Sequence, residues 1–90
     1  MYSLEKLEKN EIWLRHGECV RALVRACQQI CRRFDIHVNV VCDSYMVDGC
    51  SALGVFGLVG RVVRVEPDDA SFTQEIIEEY IKQLSDRRVK

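Results

Sequence analysis

Only one proline and five glycines punctuate this chain of 90 residues. So few breakers exclude a collagen-like or low-complexity chain and favour regular elements joined by short connections. Charge of one sign is not in excess either, since thirteen Lys plus Arg stand against fourteen Asp plus Glu for a formal net charge of -1. Such a balance supplies no global pull towards nucleic acid or anionic lipid, and nucleic acid is not an expected partner. Long apolar runs are missing as well. The longest stretch without a charge, Gly49 to Gly60, is short of the roughly 20 residues a membrane-spanning helix takes. Glu5, Lys6, Glu8, Lys9 and Glu11 occupy the start, where a secretory leader would carry a basic tip and an apolar run. The expectation is a soluble cytoplasmic protein without membrane insertion.

Cysteine is present but in no familiar arrangement. Cys19, Cys27, Cys31, Cys42 and Cys50 are odd in number and contain no C-x-x-C pair, so neither a full disulfide framework nor an ordinary zinc knuckle is indicated. Their expected state is that of buried thiols in a reducing compartment. No G-x-G-x-x-G or Walker sequence occurs, and no cofactor or metal is expected. What remains is 48% hydrophobic and 30% charged, a mixture that folds as one domain burying roughly 64% of its extended-chain surface.

Residues 1–9 read as an N-terminal extension or lead-in, and 10–90 as the single domain. Asn10 to Arg15 holds Ile12 and Leu14 on one side of a short strand, with Trp13 on the other. From Val20 to Phe34 the period becomes 3.6. Val20, Leu23, Val24, Cys27, Ile30, Cys31 and Phe34 make one apolar stripe, opposite Arg21, Arg25, Arg32 and Arg33. Asp35 to Val41 alternates as a strand that buries Ile36, Val38 and Val40. After Asp43-Ser44-Tyr45, Met46-Val47 resumes the β pattern, predicting a hairpin. Ser51 to Leu58 suggests a short helix capped by Ser51, with Leu53, Phe56 and Leu58 towards the core. Arg61 to Val65 alternates as a last strand ended by Pro67. Ser71 and Gln74 have capping-box spacing before a helix with Phe72, Ile76, Ile77, Tyr80, Ile81 and Leu84 on its apolar side, and Arg87 to Lys90 reads as a solvated tail. The order β-α-β-β-α-β-α predicts an α+β domain with helices laid on one face of a small antiparallel sheet.

In the segment Val47 to Leu58, Ser51-x-x-Gly54-Val55-x-x-Leu58 resembles the regulatory-serine helix of the HPr family, the small phosphocarriers of the bacterial sugar phosphotransferase system. The resemblance spans Asn10 to Leu84. It implies an HPr-like open-faced β-sandwich, with a four-stranded antiparallel sheet covered on one face by three helices. The family's active-site motif is Gly-x-His-x-Arg-Pro, whose imidazole opens the first helix and accepts a phosphoryl group. This chain carries Gly17-Glu18-Cys19-Val20-Arg21-Ala22, with Cys19 at the histidine position and Ala22 at the proline position. A register set from Phe34 puts Val20 there instead. His16 is close but precedes Gly17.

Several residues follow as candidates. Cys19 at a helix N-terminus beside Arg21 has the setting of an activated thiol or, alternatively, of a buried thiol seating the helix. Cys19 or His16, with Arg21, would be the acceptor site of a divergent carrier. Ser51 is either a helix cap or, by resemblance, a regulatory phosphorylation site. Arg21, Arg25, Leu53 and Phe56 are the partner-binding candidates, and Leu53 and Phe56 are also candidates for the core. The leading expectation is an HPr-like, noncatalytic protein that docks other proteins, such as phosphotransferase components or a transcriptional regulator, without ordinary histidine phosphotransfer. The alternatives are an active carrier using Cys19 or His16, and an unrelated interaction domain whose contact is the Arg21, Arg25 and Arg32 face.

Overall fold

The computed structural model describes residues 7–68 and 74–89, the latter with side chains as far as residue 84. Seven elements follow in the predicted order: β1 Glu11–Trp13, α1 Gly17–Phe34, β2 Val38–Cys42, β3 Tyr45–Asp48, α2 Ala52–Phe56, β4 Val62–Pro67 and α3 Gln74–Val89. The strands form one antiparallel sheet in the order β1-β4-β2-β3. A small α+β domain results, in which three helices cover a four-stranded sheet.

Alternation decides what the sheet buries. Ile12, Val38, Val40, Val63 and Val65 face the helices and join one core cluster with Val20, Leu23, Val24, Cys27 and Ile30 of α1, Val55 of α2, and Ile77 and Ile81 of α3. Glu11 pairs with Arg64, and Asn39 with Glu66 and Asp48, in the opposite phase. The long apolar stripe of α1 sets its orientation on the sheet. Its exposed end carries Arg32 and Arg33 in the last turn, where helix carbonyls favour cations. Asp35 then ends the helix with φ 54°, a left-handed conformation that Asp tolerates better than most side chains. Asp43 adopts φ 53° in the two-residue loop between paired Cys42 and Tyr45, as tight hairpins require positive φ in the loop.

Departures from the sequence expectations are local. The first helix starts three residues earlier than Val20, and Phe34 at its far end is exposed. Strand β2 starts at Val38, leaving Asp35 to His37 outside the ladder, and Tyr45 belongs to β3 because it pairs with Cys42. Leu53 and Phe56 are not core residues. Val55 and Leu58 take the buried positions of that segment. Residues 87–89 are helical, not a tail. Ser71 and Phe72 lie outside the described residues.

One contact controls how closely α1 approaches the sheet. A side chain on Gly49 would place its Cβ 2.8 Å from Cys27 Sγ, 3.0 Å from the Val38 carbonyl oxygen and 3.2 Å from Cys27 Cβ. The carbonyl belongs to the ladder, accepting from Gly49 N at 2.9 Å, so it cannot yield. Gly49→Ala is expected to destabilise the fold by about 1–3 kcal/mol, the usual cost of overpacking. Urea unfolding measures it, and adding Cys27→Ala restores only part of the loss because the Val38 carbonyl still opposes the methyl.

Candidate functional site

The connection from β3 to α2 is held by hydrogen bonds from three successive backbone amides. Gly49 N donates to Val38 O, Cys50 N to Asp48 Oδ1 at 2.8 Å, and Ser51 N to Asp48 O at 3.0 Å. The Asp48 carboxylate thus closes an Asx turn. Ser51, extended at φ -95°, then caps α2 by accepting from Gly54 N at 3.3 Å, an interaction worth about 1 kcal/mol. The sequence reading of Ser51 as a cap is observed directly. Its hydroxyl belongs to an exposed residue.

Because the corner and the cap fix the start of α2, they also fix which side faces out. Val55 is 0% exposed and anchors the helix, whereas Leu53 is 89% and Phe56 37% exposed. After Phe56 the chain continues through tighter i to i+3 bonds, Leu58 N to Val55 O and Val59 N to Phe56 O. In such a turn residues three apart eclipse one another. Leu53, Phe56 and the 44% exposed Val59 therefore lie along one side. This is a patch of apolar side chains, not one scattered surface residue. Val59 was absent from the sequence candidates, because the glycines on either side of Leu58-Val59 disguise the continuing turn.

The patch adjoins the beginning of α1. A Cβ on Gly17 would lie 3.4 Å from Phe56 Cε1, so the Phe56 ring packs against the bare Gly17 backbone. His16 is the N-cap residue of α1, extended at φ -158° and exposed, with no side-chain cap hydrogen bond. Cys19 sits in the first turn, 9% exposed and part of the core cluster. Its thiol therefore helps seat the helix and does not present a nucleophile to solvent. Val20, the next residue along α1, is fully buried. Arg21 and Arg25 are exposed on α1, and Glu18 is the acidic residue of its first turn. Arg25 and Arg32 line two shallow grooves of about 200 and 290 Å³ against α3, shared with Gln29 and Tyr80. Arg33 Nη1 donates to the Tyr80 hydroxyl there at 3.4 Å. The arginines of α1 thus divide between the helix start and the α3 groove.

Behind α2 lie three thiols that the sequence did not bring together. Cys27 and Cys31 are one turn apart on α1, and Cys31 Sγ is 3.1 Å from Cys50 Sγ. Burial pushes the Cys27 thiol up to about 12, reinforced by neighbouring Cys50, Cys31 and Asp48. Burial, then the hydrogen bond with Cys31, pushes Cys50 up to about 12 as well. Asp48 also meets His37 Nε2 at 3.4 Å across an exposed edge. Among the described residues no group of three or more His, Cys, Asp or Glu side chains is arranged to hold a metal ion, and no helix is long and apolar enough to cross a membrane.

No family model, curated protein or solved structure matches the chain.

The raised thiols give stability a definite pH dependence. An unfolded cysteine ionises near 9.0, whereas folded Cys27 keeps its proton to about 12, so over that interval the folded state binds more protons. Its stabilising effect is complete below pH 9 and is lost as pH rises towards 12. Under reducing conditions the urea midpoint should fall across this interval. The fall should be shallower in Cys27→Ala, and equal slopes in the two proteins would contradict the assignment.

Proposed function

We propose that this chain is an HPr-like, open-faced β-sandwich protein that works by docking other proteins, without ordinary histidine phosphotransfer. The carrying observation is Leu53, 89% exposed on a short helix that the Ser51 cap at its start and the buried Val55 within it hold in place. Leu53, Phe56 and Val59 supply the apolar centre of the docking face. His16, Glu18 and Arg21 at the start of α1 supply its polar rim, of mixed charge, which suits a partner bearing an apolar side chain flanked by polar groups. Phosphotransferase components and a transcriptional regulator are the partner classes the resemblance suggests, and a link to sugar transport or its regulation rests on the same resemblance.

The chemistry around the α1 start supports docking over transfer. Neither Cys19 nor Val20 offers an exposed acceptor. A second reading, an active carrier using His16, is favoured by one observation: this imidazole is exposed at the N-cap, where helix amides attract anions. The next helical residues are Gly17 and Glu18, however, so a carboxylate stands in the first turn of a site that would have to stabilise a phosphoryl group. Ser51 is the regulatory position in this proposal. A phosphoryl group there would add a charge of about -1.5 to -2 beside Leu53 and disfavour an apolar partner.

Isotope-labelled chain is titrated with purified phosphotransferase donor and other components, with phosphoenolpyruvate and magnesium present, while intact mass is followed beside an ordinary carrier. Docking is expected to shift amides at His16 to Arg21 and Leu53 to Val59, with no phosphoryl group gained. Leu53→Asp should weaken binding tenfold or more, about 1.4 kcal/mol. The same variant should change folding stability by less than about 0.5 kcal/mol, because the side chain is exposed. A phosphoryl group that is lost in His16→Ala but kept in Cys19→Ala would establish the second reading. Absence of amide shifts with every component would reject the HPr-like docking role.

A further inference from the structure

Cys31 and Cys50 come from different elements, yet their sulfurs lie 3.1 Å apart, and both residues are free thiols of intermediate exposure. Each is held by a rigid support. Cys31 stands on an 18-residue helix and packs, partly buried, against the core. Cys50 stands in the β3–α2 corner, its own amide tied to Asp48 and the residues on either side bonded to Val38 and Asp48. A disulfide requires its sulfurs to close to about 2.05 Å, about 1 Å nearer than they stand. We propose that Cys31 and Cys50 form a redox-active dithiol that exchanges with a low-molecular-weight disulfide of the glutathione type, locking the start of α2 to α1 when oxidised.

The exchange balances in two displacements. One cysteine loses its proton and attacks a sulfur of the small disulfide; that S–S bond breaks, one small thiolate leaves, and a mixed disulfide remains. The second cysteine loses its proton and displaces the other small thiolate, forming the Cys31–Cys50 bond. The cysteines give up two electrons, the small disulfide takes them, and the two protons end on the two small thiols. Positioned partners favour the second displacement, which becomes an intramolecular reaction with a high effective concentration. Cys27, one turn before Cys31 but turned under Gly49, is buried and serves as the internal control. This site is separate from the docking face and does not depend on the proposed function.

The full chain is equilibrated with graded ratios of reduced and oxidised glutathione, quenched with acid, alkylated and weighed intact. The expected product is lighter by two hydrogens before alkylation, carries two fewer alkyl groups afterwards and retains no glutathione. Tryptic digestion should join the peptide of residues 26–32 to that of residues 34–61, and fragmentation should locate the bond between Cys31 and Cys50. The bond should persist in Cys27→Ala and vanish in Cys31→Ser and Cys50→Ser. Because fragmentation of the unaltered protein locates the bond directly, the test stands even where a variant folds poorly. A bond to Cys27 or Cys42, a lasting glutathione adduct on Cys31 or Cys50, or five alkylated thiols under the most oxidising ratio would each overturn the proposal.

Discussion

The close approach between Cys27 of α1 and Gly49, just after β3, is the constraint on which the remaining structure depends. A bare α-carbon lets the helix lie so near the sheet that a methyl group would have no room. Everything that follows Gly49 in the chain inherits this position. Asp48 closes the turn, Cys50 comes level with Cys31, and Ser51 is delivered to the N-cap of α2. The contact also buries thiols whose ionisation becomes unfavourable, since charge in an apolar setting is costly. Packing at one glycine therefore governs both the electrostatics of the thiol cluster and the aim of a helix.

That helix has little stability of its own. Five residues form barely more than a turn, and nucleating so short a helix in water is unfavourable. It also contains Gly54, which lowers helix propensity by about 1 kcal/mol relative to Ala. The Ser51 cap, the buried Val55 and the fixed corner hold it instead. Since these anchors lie on the inner side and at the start, the outer side is left to Leu53 and Phe56. Phe56 meets Gly17, but Leu53, 89% exposed, adds little to folding, and this is the ground for the proposed docking role. At the beginning of α1 the bare Gly17 admits the Phe56 ring, so the apolar patch and the exposed His16 share one surface.

Long periodic segments were legible in the sequence, and short or non-local features were not. The stripe from Val20 to Ile30 spans three turns, enough for its period to define both the helix and its buried side. The alternations Val38/Val40 and Val63/Val65 likewise specified the inner face of the sheet. In Ser51 to Leu58 the same reasoning placed Leu53 inward, because over five residues a helix period cannot be separated from simple hydrophobicity. The cap at Ser51 supplies the missing phase, and it points Val55 inward. Cys19 carried two readings, a buried thiol seating the helix and an activated thiol at a helix N-terminus, and it is the first that its place in the core matches. The Cys31–Cys50 pair carried no local signal. Nineteen positions separate the two residues, and only the hairpin between them and the corner at Gly49 bring them together.

Helix α2 is a fixed part of the fold, held from the inside while its apolar side faces solvent. Native-state amide hydrogen exchange tests this most directly at Val55 and Leu58, whose amides donate to Ser51 O and Val55 O. If the corner holds the helix, both amides exchange only with global unfolding, at the same free energy as the core amides of Leu23 and Ile30 in α1. Exchange at Val55 and Leu58 close to the rate of an unstructured peptide, while Leu23 and Ile30 stay protected, would contradict it.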